Sequence, residues 1–159
     1  MFVNLRPLRP SDWPLLKAIE LDAESSRYGD DQGFTEDELY AFLLSEHNLE
    51  KHAQFRWVIC PPNETEGLGF IDLFEADFEQ RRAWIGILLL PEARRKGLGS
   101  QALRALLNQL PELGIDTLMA EVQPDNAASV AFFQKNGFQK HAQKGENWVF
   151  IKSALPKFA

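Results

Sequence analysis

An apolar run from Ala83 to Leu90 meets Pro91, then Arg94-Arg95-Lys96-Gly97-Leu98-Gly99-Ser100, after which apolar residues recur at 98, 102, 103, 106, 107 and 110. The run reads as a strand buried on both faces and the recurrence as one stripe of a helix, Gly97 to Leu110. Such a pair demands a sheet with helices packed on it. The first N–H groups of the helix have no intrahelical partner and carry the positive end of its dipole. Gly97 and Gly99 lack side chains, so an anion can approach the backbone closely. Arg94, Arg95, Lys96 and Arg104 add positive charge, and no acid stands between Ala93 and Pro111. The expectation is a diphosphate cradle; the competing reading is a basic turn whose glycines only cap and pack. No Lys follows Gly99, as a P-loop requires, and Ala102 stands at the third glycine of a dinucleotide fingerprint.

The rest of the chain supplies the sheet. Phe2 to Leu8 alternates as a strand, and Ser11 or Asp12 caps a helix reaching Leu21. Residues 22–34 read as a loop. Thr35-Glu36-Asp37-Glu38 is a capping box that opens a helix through about Leu44. Phe55 to Cys60 and Leu68 to Phe74 read as strands, and Ala76 to Arg82 as a polar hairpin turn. Beyond the central helix, which Pro111 and Gly114 end, Ile115 to Val122 is a strand. Asp125-Asn126 caps a helix from Ala127 to Lys135, which stops at Asn136-Gly137. Phe138 to Lys144 and Asn147 to Ser153 close the chain as a hairpin about Gly145. The expectation is one α/β domain, 1–159, with a mixed, mostly antiparallel sheet of about seven strands and about four helices on both faces.

Composition narrows the function. Seventeen Lys and Arg against 23 Asp and Glu give a formal charge of −6, which argues against a general nucleic-acid binder. Apolar runs are far too short for a membrane span, and the N-terminal residues lack a signal-peptide core. The single cysteine, Cys60, excludes a disulfide scaffold and fits a reducing cytoplasm. His47, His52 and His141 show no metal-ligand spacing, so no metal is expected.

Two motifs carry a family resemblance. Arg94-x-x-Gly97-x-Gly99 resembles the Arg/Gln-x-x-Gly-x-Gly/Ala signature of the GNAT acyl-CoA N-acyltransferases. Asn126-x-x-Ser129-Val130-x-Phe132-Phe133-x-x-x-Gly137-Phe138 is similar to the family's second motif. Ile71-Asp72-Leu73-Phe74-Glu75 and Arg81-Arg82-Ala83 resemble the branch holding ribosomal-protein N-terminal and spermidine acetyltransferases. The resemblance implies that the strand Ala83 to Leu90 splays from Ile115 to Val122 and that acetyl-CoA, as co-substrate, slots its pantetheine arm into the gap. Backbone groups of Leu88 and Leu90 would pair with the arm, and the N–H near Leu89 would meet the acetyl carbonyl. N–H groups of Arg95, Lys96, Gly97, Leu98, Gly99 and Ser100 would hold the diphosphate, with Arg94 beside them. Asn126, Ser129, Phe132 and Phe133 would flank the cofactor's lower arm.

The chemistry needs a base, because an amine of pKa near 10 is only about one part in a thousand neutral at pH 7. Asp72, a lone carboxylate in an apolar strand, and Glu75 at the strand end are the candidates; pairing of Asp72 with Arg81 or Arg82 is the structural alternative, and Glu121 is a weaker candidate. Many relatives have a tyrosine where this chain has Phe133, to protonate the departing thiolate. Three readings stand: water or another side chain substitutes, Tyr28 or Tyr40 folds over the site, or the protein binds acyl-CoA with little turnover. The first is favoured.

Residues 20–50 hold ten acids against Arg27 alone. They form either a negative wall that concentrates a cationic amine, such as a polyamine, an aminoglycoside or a basic peptide N-terminus, or a solvated helical face. Trp84 is a candidate to line the cleft. The resulting expectation is transfer of an acetyl group from acetyl-CoA to a primary amine of a cationic small-molecule or peptide acceptor, by direct attack through a tetrahedral intermediate, with no nucleic acid or membrane partner; a CoA-binding regulatory module is the alternative. Unpaired sheet edges leave room for a homodimer.

Overall fold

The computed structural model describes residues 3–21, 34–62 and 66–153. Its strands are β1 (Asn4–Pro7), β2 (Phe55–Cys60), β3 (Gly69–Asp77), β4 (Arg82–Leu89), β5 (Thr117–Val122), β6 (Gln139–Lys144) and β7 (Asn147–Ser153). Its α-helices are α1 (Trp13–Glu20), α2 (Glu36–Leu44), α3 (Leu49–His52), α4 (Leu98–Leu113) and α5 (Ala127–Lys135). Phe2, Tyr28 and the acids Asp22, Glu24, Asp30 and Asp31 lie outside the described residues.

Local chemistry explains most boundaries. Thr35 Oγ1 accepts the Glu38 N–H at 3.1 Å while Glu38 accepts the Thr35 N–H at 3.2 Å, closing the expected capping box of α2. Asp12 precedes α1 but does not cap it through its side chain. Its carboxylate instead accepts two bonds from the Arg6 guanidinium, at 2.9 and 2.7 Å, and one from the Arg9 N–H at 2.7 Å. The short helix α3 was not expected; Asn48 Oδ1 caps it by accepting from the Lys51 N–H. Helix α4 runs through Pro111 to Leu113, one turn beyond the expected stop. The proline's missing N–H orphans a single carbonyl there, while Leu110 and Ile115 on either side are fully buried. Gly114, at φ +81°, then ends the helix.

The seven strands form one sheet in the order β1-β2-β3-β4-β5-β7-β6. Every neighbouring pair is antiparallel except β4 and β5. One face packs Ile71, Leu73, Ala83, Ile85, Leu118, Ala120 and Phe150 against α4 and α5. The opposite face packs Val58, Cys60 and Phe70 against Leu16 and Ile19 of α1 and Leu39 and Leu43 of α2. Strand β3 passes its expected end at Phe74 and reaches Asp77 through a bulge.

Candidate active site

The parallel ladder of β4 and β5 holds three residue pairs, Arg82–Thr117, Ala83–Leu118 and Trp84–Met119. Beyond Trp84, β4 continues to Leu89 paired only with β3, so the two central strands part there as expected. Strand geometry decides which groups face the gap. The Leu90 N–H donates to the Leu68 carbonyl at 2.9 Å. With Phe70 opposite Leu88, alternation turns the backbone groups of Leu88 toward β3 as well. The groups of Ile85, Ile87 and Leu89 therefore turn toward the gap. This corrects the expectation for Leu88 and Leu90: their amides are spent on the sheet, and their side chains pack toward α1 and α2. Leu89 keeps its gap-facing N–H, while its carbonyl accepts from Arg94 Nε at 3.3 Å.

The turn after β4 is built as an anion cradle. Pro91–Ala93 form a single 3-10 turn. Arg95 and Gly97 then take left-handed conformations, φ +62° and +78°. Left-handed residues interleaved in a turn aim successive N–H groups to one side. No side chain caps α4, and its first helical bond runs from the Gln101 N–H to the Gly97 carbonyl. The N–H groups of Leu98, Gly99 and Ser100 thus lack intrahelical partners. The space where a Gly97 Cβ would point is open. At Gly99 a Cβ would lie 3.1 Å from Phe132 Cε2, so this glycine also lets α5 close onto α4. Arg95 and Lys96 are exposed, whereas Arg94 braces the strand end. Arg104 stands about 9 Å along α4, beside Gln101 and Asn108, and is not part of the turn.

The second motif meets the first through α5. Asn126 Oδ1 caps α5 by accepting from the Ser129 N–H at 3.2 Å. At its other end Asn136 Nδ2 donates to Ser100 Oγ at 3.1 Å and to the Phe132 carbonyl at 2.8 Å. Asn136, expected only as a helix stop, thus ties to Ser100 across 36 positions, a link that no local pattern displays.

A cavity of about 410 Å³ opens at the vertex of the splay, where Trp84 and Met119 meet Glu75, Asp77, Arg82 and Lys144. It lies on the face away from α4. A strand gap closed at one end by a cavity and at the other by a bare helix N-terminus can hold a long ligand with an anionic head.

Residues 3–139 match the family model described as acetyltransferase (GNAT) domain. The chain belongs to the GNAT acetyltransferase family. It is 27% identical over 141 residues to the spermidine N(1)-acetyltransferase of Escherichia coli K12, covering 86% of this chain and 72% of that protein. It is 38% identical over 50 residues to the ribosomal protein bS18 alanine N-acetyltransferase of the same organism, covering 31% and 34%. Among solved structures, Vibrio cholerae spermidine N-acetyltransferase in complex with CoA and spermine superposes with a TM-score of 0.78 at 18% identity, covering 96% of this chain and 95% of that one.

Within this GNAT domain the candidate catalytic side chains have distinct settings. Asp72 is not a lone carboxylate: Arg56, opposite it on β2, grips it with Nε and Nη2, while Arg56 Nη1 binds Glu20 at 2.7 Å. Neither Arg81 nor Arg82 is its partner; Arg81 pairs with Asp116 at 3.1 Å. The Arg56 cation also lies 4.6 Å from the Phe70 ring centroid. Burial opposes its charge, but Asp72 and Glu20 outweigh this and hold its pKa above the ordinary range. Glu75 sits in the β3 bulge at φ +48°, exposed beside the cavity. A non-glycine residue held left-handed at a bulge is strained, a feature that clusters at functional sites. Glu121 is tied by Asn147 Nδ2 at 2.6 Å and Lys144 Nζ at 3.3 Å.

Phe133 is buried, with ring centroids 5.1 Å from Phe132 and 5.0 Å from Phe138 and a stacked contact with Phe150. Tyr40 packs edge-on against Trp13 at 5.2 Å, in the α1–α2 layer. Of the six described acids of the N-terminal wall, Glu20 binds Arg56, Glu38 closes a cap and Glu46 pairs with Lys51 at 2.9 Å, whereas Glu36, Asp37 and Glu50 stand exposed.

Proposed function

We propose that this GNAT domain transfers the acetyl group of acetyl-CoA to a primary amine by direct attack. The observation carrying the reading is the end of β4–β5 pairing at Trp84–Met119, with a bare helix N-terminus at one end of the gap and a cavity at the other. The N–H groups of Arg95 to Ser100 receive the diphosphate. Those of Leu89, and of Ile87 two residues deeper, serve the pantetheine amides and the thioester oxygen. Phe132 walls the gap beside Gly99, with Asn126 and Ser129 at the near end of α5; Phe133 supports that wall from the core.

Glu75 is the base in this reading. The amine nitrogen attacks the thioester carbon, and its surplus proton passes to the Glu75 carboxylate directly or through water. A gap-facing N–H stabilises the oxyanion. The C–S bond then breaks and the thiolate takes a proton from water, since Phe133 has none to give. Asp72 takes a positioning role, holding Arg56 and through it Glu20 at the end of α1. Phe133 also favours a second reading, a CoA-binding module with little turnover. A thiol-release assay with an amine panel decides between them: acetyl-CoA binding without release above background supports the module. The buried Cys60 accords with a cytoplasmic setting.

A further inference from the structure

We infer that the acceptor carries a carboxylate beside its reacting amine, as an amino acid or a small acidic peptide does. The inference rests on the acetyl-transfer reading and names its substrate class. The cavity at the splay vertex is not uniformly acidic. Asp77 Oδ1 is occupied by the N–H groups of Glu79 and Gln80, each at 3.1 Å. The Lys144 ammonium is 3.3 Å from Glu121 and 5.0 Å from the centroid of Trp84. Two charged groups are then left without a hydrogen bond or ion pair among the described residues: the Glu75 carboxylate and the Arg82 guanidinium, on neighbouring strands and lining the same cavity.

Asp77, opposite Arg82, adds a second negative charge, but only Glu75 and Arg82 have no bond of their own, and a free group of each sign is complementary to a ligand with both. Glu75 draws the ammonium and then receives its proton. Arg82 offers the planar fork that binds a carboxylate through two parallel hydrogen bonds. Trp84 and Met119 add apolar lining to the same cavity. A polyamine whose second ammonium lay beside Arg82 and Lys144 would meet like charge, which selects against that pose.

The test is thiol release from acetyl-CoA by the full chain, comparing free amino acids, their carboxamides and spermidine. The expected result is that the best free amino acid exceeds its own carboxamide at least tenfold in kcat/KM. Arg82→Gln should bring that ratio near one, mainly through KM, and Arg82→Lys should restore part of it; titration with CoA verifies that each variant is folded. Spermidine outrunning every amino acid, or a ratio unmoved by Arg82→Gln, overturns the inference while leaving acetyl transfer standing. Thiol release by no amine at all, with CoA still bound, overturns the transferase reading and this inference with it.

Discussion

Arg56 Nε and Nη2 hold the two carboxylate oxygens of Asp72 at 2.8 and 2.7 Å. Both side chains are largely buried, at 12% and 19% exposure. The pair fastens β2 to β3 and, through Glu20, to the end of α1. Arg56→Ala would leave two carboxylates facing each other without their cation and should cost about 3–5 kcal/mol, the usual range for a broken buried pair. Urea denaturation measures it; a loss under about 1 kcal/mol would show the pair to be ornamental.

Glu75→Gln removes the proposed base without changing shape. It should lower kcat by about 10²–10⁴-fold, the range for general-base catalysis, with CoA affinity intact. Glu75→Gly should also lose activity yet gain about 1 kcal/mol in stability, because glycine carries no penalty at φ +48°. Parallel kinetics and denaturation of the two variants check both statements.

Gly97→Ala should weaken CoA binding and cost about 1 kcal/mol, since φ +78° is strained for any side chain while the space around it is open. Gly99→Glu should abolish CoA binding, and its side chain meets Phe132 at once. Circular dichroism beside CoA titration separates these effects.

Phe133→Tyr places a hydroxyl within the ring cluster of Phe132, Phe138 and Phe150. If it reaches the thiolate, turnover rises; otherwise turnover is unchanged and stability falls by about 1–3 kcal/mol for an unmatched hydroxyl. A large fall in kcat would show that ring packing at this position governs the site.

The Arg6–Asp12 pair sets an acid limit. Burial pushes the Asp12 carboxyl up, but bonds from Arg6 and the Arg9 N–H outweigh it and leave its pKa below the ordinary carboxylate value. A group depressed on folding stabilises the fold above its unfolded pKa, and that contribution is lost as pH falls through the folded value. Denaturation from pH 7 to 3 should therefore show stability declining on the acid side, with a shallower decline in Asp12→Asn.

Much of the site was legible because it is local. The basic glycine turn, the Asn126 cap and the Thr35–Glu38 box lie within a few residues and obey backbone rules. What was missed depends on register. Ile87 to Leu90 is apolar at every position, so no alternation marks which amides face the gap; the Leu68–Leu90 bond decides it. Asp72 reads as solitary because its partner, Arg56, is sixteen residues away on β2. The acid-rich stretch suggested a cationic acceptor; three of its six described acids, Glu20, Glu38 and Glu46, are engaged in a cap and ion pairs, which charge counting cannot show, while Glu36, Asp37 and Glu50 stand exposed. The unexpected helix α3 has only four residues and too little periodicity to detect.

Residue-resolved amide exchange with and without CoA tests the central claim, that the splayed strands and bare helix start bind this co-substrate. Protection should appear at Ile87, Leu89 and Leu98 to Ser100, while Leu88 and Leu90, already bonded within the sheet, stay as they were. Binding that leaves the amides of Leu98 to Ser100 unprotected, or protects only a distant surface, would contradict it.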